Sequence, residues 1–590
     1  MNAKPNNSGN DASQAADVRV LGLSLDPRLA LLAIFLVALG LRLLYLYLYS
    51  GHVFFRELVV DEAAYDEWAR RIAAGDWLGS KPFYQDPLYP YLLAVLYRVF
   101  GRNLTLIYVL QAVLSSLCVL PMYGTGRRLF DDRRVGLLAA LFWATYKVSF
   151  FFEGQIEKTG PGTALVIVAL WLLAVARDRP KIAYALLAGF AWGLGCLYRG
   201  NFLAVAPVLF VWLAWTLWRR MGKAAAGPLA AFALGCALMP GASAVRNYSV
   251  SGELILTTAQ GGVNFYVGNF RKNIWGTGVD PPFARRTPVF EESDFSKEAR
   301  RLTGRELGPS ALDRFWYRQG LIEIAADPGL FITRLGRKAL LILNAHEVSD
   351  NLNYYFFREH VAGLLKWPLP AFWLAGPFGL AGMALALKRK KGGMLALYVG
   401  AYSLTLLAFY VVGRYRLPLV PPLLLFAAYG MVAVLESLRP LDKKAIIIYC
   451  LVLAAAGALG FPEWRRPAYD DSWQKMGHAY ENEERWAEAI ACYEKALAIN
   501  PRMGQAWLGL GLALTHRRRS ADALAAFRNA ADADPGFAPG RYLLGLSLQK
   551  NGLDREARKE YQRALELDPD LREARTALER LGRNGAGPIP

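Results

Sequence analysis

Blocks of apolar residues, each about 17 to 22 residues long, recur along this chain as far as residue 461 and then stop. A helix of this length spans the hydrocarbon core of a bilayer, so each block is a candidate membrane span. The sequence therefore predicts an all-α fold, in which a polytopic membrane bundle over 29–461 precedes a soluble domain. The eleven candidate spans are about 29–49, 104–124, 135–152, 160–176, 182–197, 201–218, 227–245, 367–387, 393–412, 416–437 and 444–461.

Short basic clusters between the blocks predict the orientation of the bundle. They are Arg127, Arg128, Arg133 and Arg134; Arg177, Arg179 and Lys181; Arg219, Arg220 and Lys223; Lys388 to Lys391; and Arg439, Lys443 and Lys444. With a cytoplasmic amino terminus, every cluster follows an even-numbered span and lies inside, as positive loops do. The loops 50–103 and 246–366 and everything after 461 then lie outside. Because the net charge of +19 resides largely in these loops, it does not indicate a nucleic-acid partner.

Two segments need separate interpretation. Residues 1–28 are polar and poorly patterned, which predicts a disordered cytoplasmic tail. The following block, 29–49, has no small-residue cleavage site and is interpreted as an anchor helix that is retained. Residues 329–345 are apolar but carry Arg334, Arg337 and Lys338, so we expect a helix that lies in the outer interface or enters the membrane part-way.

The carboxyl-terminal part repeats with a period of 34 residues. Trp473, Gly477, Tyr480, Ala489, Tyr493, Ala496 and Pro501 recur as Trp507, Gly511, Leu514, Ala523, Phe527, Ala530 and Pro535, and then as Arg541, Gly545, Leu548, Ala557, Tyr561, Ala564 and Pro569. This pattern resembles the tetratricopeptide repeat. It predicts an α-solenoid over 470–590, with repeats 470–503, 504–537 and 538–571 and a capping helix at 572–583. Such a surface implies a protein or peptide partner.

Asp61 and Glu62 are adjacent carboxylates just beyond the first span. Charge at the mouth of a membrane helix is costly and usually functional, so this pair is the first candidate for chemistry. The alternative is a solvated loop start. Glu153 and Glu157 lie in a very short outer turn. They are candidates for binding the acceptor or supporting a metal, and the alternative is that they only keep the loop soluble.

Arginines form another group at the outer face, where the positive-inside tendency disfavours them. A guanidinium fork is well suited to phosphate, and the alternative is snorkelling to lipid head groups. The candidates for binding a donor phosphate are Arg199, Arg246, Arg414 and Arg416. The cysteines and histidines show no metal-ligand spacing, and the sequence leaves metal dependence unknown.

Acids that take a proton and arginines that hold a phosphate suit transfer of a group from a lipid-borne phosphate. Two other functions are alternatives to group transfer. A lipid or sugar transporter or flippase with a partner-binding tail predicts charges along the spans, where this chain has few besides Arg42 and Lys147. A scaffold anchored in the membrane requires far fewer spans than eleven.

The same residues resemble the protein O-mannosyltransferase-like glycosyltransferases of the GT-C superfamily. The resemblance rests on Val60-Asp61-Glu62, Tyr65, Trp68-Ala69, Ile72, Gly75-Asp76, Pro82-Phe83 and Pro87 to Leu92, on Arg246-Asn247-Tyr248 with Gly261-Gly262 and Gly268-Asn269, and on Arg414 to Pro418. Many bacterial members carry a tetratricopeptide tail. Several relatives in that family have His or Lys just before the Pro-Leu-Tyr-Pro stretch, where this chain departs with Gln85-Asp86.

The resemblance implies an inverting hexosyltransferase of the bacterial inner membrane that uses a polyprenyl-phosphate-linked sugar. Asp61 would be the base, supported by Glu62, and Glu153 or Glu157 would help to bind the acceptor or a divalent metal. Membrane lipids, the lipid-linked donor and a protein or glycolipid acceptor are the implied partners.

Overall fold

The computed structural model describes residues 18–20, 23–285, 288–438, 442–460 and 468–584. Its contacts divide the chain into two compact units. The first, here the membrane unit, comprises Met1–Tyr49, Val60–Tyr354 and Ala362–Glu463, and the second, here the repeat unit, comprises Ser50–Val59, Tyr355–Val361 and Trp464–Pro590. Parts of several predictions lie outside the described residues: most of the tail 1–28, the basic residue Arg439, and positions 461 and 585–590.

The membrane unit is almost entirely helical. Its α-helices are Pro27–Ser50, Asp61–Ala73, Leu88–Phe100, Leu104–Leu117, Val119–Phe130, Arg133–Ala144, Lys147–Glu153, Thr159–Asp178, Ile182–Tyr198, Asn201–Met221, Ala226–Ser251, Gly261–Asn269, Pro288–Thr303, Pro309–Ala326, Pro328–Leu343, Phe372–Lys388, Gly393–Ala408, Gly413–Arg416, Val420–Ser437 and Lys443–Gly460. The short 3-10 helices of this unit are Gly222–Ala225, Gly363–Lys366 and Leu417–Leu419. Each predicted span falls on one or two of these helices, so the predicted all-α class is confirmed.

The count of eleven spans is not confirmed. In the described part of the chain, six helical stretches are long and apolar enough to cross a membrane, or seven if Arg133–Ala144 and Lys147–Glu153, bent by 51°, form one span. One stretch, Asn201–Ser251, contains two predicted spans. Three more predicted spans coincide with the shorter apolar helices Ile182–Tyr198, Phe372–Lys388 and Gly393–Ala408.

Strands in the described residues are two three-residue pieces, Val18–Val20 and Leu23–Leu25, which pair antiparallel. They lie within the predicted disordered tail, and the first helix begins at Pro27. The predicted interfacial segment 329–345 is the helix Pro328–Leu343. Its Arg334 and Lys338 are buried against backbone carbonyls of neighbouring segments.

Helix Pro27–Ser50 is inside out compared with a helix of a soluble protein. It exposes Leu32 and Leu36 but buries Arg42, Tyr45 and Tyr49. Lipid contact stabilises exposed leucines, whereas a charge in lipid must turn inward and find partners. The burial pattern therefore agrees with a helix at the lipid-facing rim of a membrane bundle.

Small residues set the helix crossings, as is usual where no hydrophobic effect drives helices together in lipid. At the crossing of Ile182–Tyr198 with Ala226–Ser251, a Cβ added to Gly193 would lie 2.9 Å from the carbonyl oxygen of Cys236. At the crossing of Phe372–Lys388 with Val420–Ser437, a Cβ on Gly379 would lie 2.7 Å from the Leu423 carbonyl.

The repeat unit contains the predicted tetratricopeptide solenoid. Its helices are Asp470–Asn482, Trp486–Ile499, Gly504–His516, Ser520–Ala533, Ala538–Lys550, Asp554–Leu567 and Arg572–Asn584. Within each predicted repeat, a glycine admits the aromatic ring of the second helix: a Cβ on Gly477 would lie 2.8 Å from Tyr493 Cε1. The repeat signature therefore predicts the packing as well as the fold.

Two segments of the predicted outer loops belong to the repeat unit, which the sequence pattern did not indicate. Phe356, on the helix Tyr354–His360, is buried and packs edge-on against Trp473, with ring centroids 5.0 Å apart. Phe54, on the short 3-10 helix Val53–Phe55, stacks on Phe357 at 5.7 Å. Aromatic burial of this kind is a large stabilising contribution, so these segments are integral to the repeat unit.

Candidate active site

Asp61 and Glu62 are the first residues of the helix Asp61–Ala73, and both are buried. Acids favour this position because the helix amino terminus carries partial positive charge. The preceding Val60 has φ 55° and ψ −123°, a conformation that is costly for a β-branched residue. Backbone strain at this point fixes the direction in which the helix and its two acids start.

Arg414 joins three carboxylates that are far apart in sequence. Its guanidinium pairs with Asp61 and with Asp350, and its Nη1 lies 3.3 Å from Glu157 Oε1. Asn351 Nδ2 also donates to Asp61 Oδ2 at 2.7 Å. Burial raises the pKa of Asp61, but the charge and hydrogen bond of Arg414 outweigh it, so the pKa lies below its ordinary value and Asp61 is ionised at neutral pH.

Glu62 links this helix to the short outer turn, because its Oε1 accepts the backbone N–H of Ile156 at 3.1 Å. Glu153 lies elsewhere. Arg42 Nε donates to Glu153 Oε2 at 2.7 Å, and Arg42 Nη2 donates to Ser149. Glu153 thus pairs with the buried cation of the first span and does not line the cavity described below, whereas Glu157 lies beside Asp61 and Arg414.

Lys158 supplies a cation that is not among the predicted site residues. Its Nζ lies 2.5 Å from Asp86 Oδ2. Burial lowers the pKa of Lys158, but Asp86 outweighs that effect and holds the pKa above its ordinary value, so the side chain is an ammonium at neutral pH. A basic group is therefore provided near Asp86 from the outer turn.

Arg199 is buried and differs from the other three predicted arginines. It lies over the ring of Tyr415 at 4.3 Å and donates to Thr159 Oγ1 at 3.3 Å. Among the described residues it forms no ion pair, and its Nη1 has no hydrogen-bond partner. Glu157 acts on Arg199 only through space, so the guanidinium keeps hydrogen-bonding capacity for an anionic ligand.

Arg416 and Arg246 are committed to protein contacts. Arg416 Nη2 lies 2.8 Å from Glu347 Oε1, and its guanidinium donates to three backbone carbonyls between 341 and 346. Arg246 lies over the Phe83 ring at 3.9 Å and donates to the carbonyls of Leu78 and Lys81. The structure therefore brings Asp61, Glu157, Arg414 and Lys158 together, and holds Arg416, Arg246 and Glu153 elsewhere.

A cavity of about 110 Å³ opens beside Asp61. Its polar lining combines the predicted Asp61 and Arg414 with groups that were not selected as site residues: Lys158, Gln260, Asn264, Asp280, Arg285, Glu291, Asp350 and Asn351. Asp350 and Asn351 lie in the polar stretch 344–355, which follows the helix Pro328–Leu343. Nothing in the sequence marks Glu291 as a site residue, because a single acid on an outer-loop helix resembles any solvated residue.

The donor set does not fit a divalent metal. Arg414 already lies among Asp61, Glu157 and Asp350, where its positive charge takes the place that a cation would need. Over the described ranges, no group of three or more His, Cys, Asp or Glu side chains is arranged to hold a metal ion. The mechanism proposed for this site therefore uses protein side chains.

Residues 80–240 match the family model described as dolichyl-phosphate-mannose-protein mannosyltransferase. This part of the chain is thus similar to that glycosyltransferase family. Residues 475–536 and 538–571 match tetratricopeptide repeat models. The predicted resemblance to a membrane glycosyltransferase with a repeat tail is thereby confirmed.

The chain is also similar to curated bacterial proteins. It is 31% identical over 227 residues to the undecaprenyl phosphate-alpha-4-amino-4-deoxy-L-arabinose arabinosyl transferase of Pseudomonas aeruginosa (strain LESB58), covering 36% of this chain and 40% of that protein. A protein of the same name from Pseudomonas savastanoi pv. phaseolicola (strain 1448A / Race 6) is 28% identical over 174 residues, covering 28% and 32%. The chain thus spans less than half the length of these relatives.

Among solved structures, the Sgt2 tetratricopeptide domain from Aspergillus fumigatus is 21% identical, covers 22% of this chain and 91% of that one, and has a TM-score of 0.20. The apolar helices and the relatives together indicate a multi-pass protein of the bacterial inner membrane.

Proposed function

We propose that this chain is an inverting glycosyltransferase that moves a sugar from a polyprenyl-phosphate carrier to a protein or glycolipid acceptor on the extracytoplasmic side of the membrane. The observation that carries the proposal is the buried, ionised Asp61 at the wall of a cavity that it shares with Lys158 and Arg414. The matched family and the undecaprenyl phosphate in the relatives' name support the lipid-linked donor.

In this mechanism Asp61 accepts a hydrogen bond from the acceptor hydroxyl and takes its proton as the oxygen attacks the anomeric carbon. Arg414 and Asn351 both bind Asp61 Oδ2, which orients the other oxygen, Oδ1, for that role. The bond from the anomeric carbon to the phosphate oxygen breaks on the opposite face of the sugar, so the configuration inverts. Glu157 and Asp350 hold Arg414 in position.

The leaving phosphate needs cations that are not already neutralised by protein carboxylates. Arg414 and Arg416 are paired with acids, which makes them supports of the site more than phosphate ligands. Arg199 forms no ion pair among the described residues, and we propose it as the principal phosphate ligand, where it would stabilise the developing charge. Among the four predicted arginines, Arg199 is thus the proposed phosphate ligand, and Arg414 and Arg416 are supports of the site.

The sugar and the acceptor are proposed at the level of class. The family description favours a hexose such as mannose, whereas the relatives are named for an amino-arabinose, so a test should offer both. We further propose that the repeat unit lies outside the membrane and binds a protein or peptide partner, because tetratricopeptide surfaces generally accept peptides.

The experiment uses the purified full chain in liposomes, with undecaprenyl phosphate linked to mannose or to 4-amino-4-deoxyarabinose and a bacterial envelope extract as acceptor source. We expect acceptor-dependent release of undecaprenyl phosphate, a labelled product identified by mass spectrometry, and loss of both in Asp61→Asn. Glu67→Gln is the matched control, since Glu67 is an exposed acid on the same helix.

Two outcomes would overturn the proposal. Donor that crosses the liposome membrane without release of undecaprenyl phosphate would identify the protein as a flippase. Transfer by Asp61→Asn at the rate of the Glu67→Gln control would remove Asp61 from the chemistry.

A further inference from the structure

Glu291 faces the same cavity as Asp61. It lies on the helix Pro288–Thr303, in the long predicted outer loop. Its carboxyl accepts hydrogen bonds from Tyr84 Oη at 3.2 Å and from Gln260 Nε2 at 3.0 Å. Both donors are neutral, and they hold the carboxyl at the cavity wall.

The two carboxyl groups have opposite surroundings. Asp61 is paired with Arg414, and Asp350 on the same wall is paired with that arginine too. Among the described residues Glu291 forms no ion pair, and the nearby Arg285 is committed to Asp294. A carboxyl that has only neutral partners, and faces another acid, favours its protonated form much more than a carboxyl that is bound by a guanidinium.

Burial raises the pKa of Glu291 to about 7, and Asp280 and Asp61 add to the rise, whereas the hydrogen bonds from Gln260 and Tyr84 oppose it. The pKa of Asp61 is held below its ordinary value. Neighbouring titratable groups whose pKa values are pushed apart are the usual arrangement of a proton donor and a proton acceptor. The charged and titratable groups that line the cavity with Glu291, or lie beside its partner Tyr84, are Asp61, Tyr65, Lys158, Asp280, Arg285, Glu292, Asp313, Asp350, Tyr410, Arg414 and Tyr415.

We propose that Glu291 receives the proton that Asp61 takes from the acceptor hydroxyl. This inference rests on the proposed function. In the transfer, the acceptor oxygen forms its bond to the anomeric carbon, the bond to the donor phosphate oxygen breaks, and the electron pair leaves with the undecaprenyl phosphate. The acceptor proton passes to Asp61 and then to ionised Glu291, either directly or through the cavity, and Glu291 releases it to solvent before the next turnover. Asp61 is thereby returned to its ionised state.

The test is the pH dependence of sugar transfer by the full chain in liposomes, with undecaprenyl phosphate-linked sugar as donor. The rate of the unaltered protein should rise between about pH 6 and 8, because Glu291 must be ionised to accept the proton. Glu291→Gln should lower kcat by about 100-fold, within the range of general acid–base catalysis, with little change in KM, and should lose that pH dependence.

Three further variants separate this role from a structural one. Tyr84→Phe removes a hydrogen bond that stabilises ionised Glu291, so the rise in rate should move to higher pH. Glu291→Asp should recover part of kcat. Glu292→Gln is the matched control, because Glu292 is half exposed beside Lys81 and does not line the cavity.

The inference fails if the unaltered protein and Glu291→Gln have the same kcat and the same pH profile while Asp61→Asn is inactive. It also fails if Tyr84→Phe leaves the profile where it was. Absence of transfer by the unaltered protein would instead overturn the proposed function, which is a different result.

Discussion

The arginines of the site differ in what their removal leaves behind, and this difference predicts opposite phenotypes for Arg416→Gln and Arg199→Gln. Arg416 is 2% exposed and is ion-paired with Glu347. Removing one partner of a buried ion pair costs about 3–5 kcal/mol, because the other charge stays buried. Three backbone carbonyls also lose a donor, each worth about 1 kcal/mol. We therefore expect Arg416→Gln to lower the free energy of unfolding by about 4 kcal/mol or more.

The loss in Arg416→Gln should depend on pH in a defined direction. Burial already raises the pKa of Glu347, and Arg416 opposes that rise, so without the arginine the pKa rises further. A carboxyl whose pKa is higher in the folded than in the unfolded state stabilises the fold at low pH and loses that contribution as pH rises through the folded-state pKa. The destabilisation should accordingly be larger at pH 8 than at pH 5.5.

Arg199→Gln breaks no ion pair among the described residues, although it removes a cation that acts on Glu157 through space. It removes a 3.3 Å hydrogen bond and a ring contact, together worth about 1 kcal/mol, and it also removes an unpaired buried charge. Stability should therefore change by less than about 1 kcal/mol. Loss of a charged hydrogen bond to phosphate costs about 1.5–3 kcal/mol, so donor affinity should fall roughly 10- to 100-fold.

The assay measures both quantities on both variants: thermal unfolding of the detergent-solubilised protein by tryptophan fluorescence, and the KM for undecaprenyl phosphate-linked sugar in liposomes. The reasoning is refuted if Arg199→Gln binds donor normally while Arg416→Gln, at unchanged stability, binds it weakly. In that case Arg416 would carry the phosphate.

Four other substitutions test further contacts. Arg42→Met or Glu153→Gln alone should each cost about 3–5 kcal/mol, and the double variant should recover much of that loss in a thermal-unfolding cycle; additive losses would contradict the buried pair. Val60→Gly should relieve about 1–3 kcal/mol of backbone strain and raise the unfolding temperature while lowering kcat, and an unchanged rate would show that the strain does not position Asp61. Phe356→Ala should destabilise the repeat unit by about 3–5 kcal/mol, seen as faster limited proteolysis at the Trp473 end, and protease resistance equal to that of the unaltered protein would contradict this packing.

The acidic residues show how much of the site the sequence predicts. Because acids beside a membrane span are costly, the sequence predicts Asp61 and Glu157 as site residues. In the structure both carboxylates contact Arg414. Glu153 was selected by the same rule, yet it is the partner of Arg42. In the structure Glu153 is the last residue of the helix Lys147–Glu153 and faces Arg42, whereas Glu157 lies in the turn that follows, beside Arg414.

The arginines show a second limit. The sequence identifies four cations at the predicted outer face, but their capacity to bind phosphate depends on the acids that tertiary folding brings beside them. Glu347 is 69 positions from Arg416 along the chain, whereas Arg199 forms no ion pair among the described residues and is affected by Glu157 only through space. Glu291 was missed for the same reason, since its hydrogen bonds to Tyr84 and Gln260 join three separate segments.

The sequence by itself determined the helical class, the division between apolar spans and repeats, and the residue types available for chemistry, because these follow from local periodicity and from the cost of charge near lipid. Tertiary structure alone decided which charges are neutralised, which carboxyl groups have a raised or a lowered pKa, and which loop segments join the repeat unit. Electrostatic partnership acts through space over a few ångströms, and the spacing of residues along the chain does not specify it.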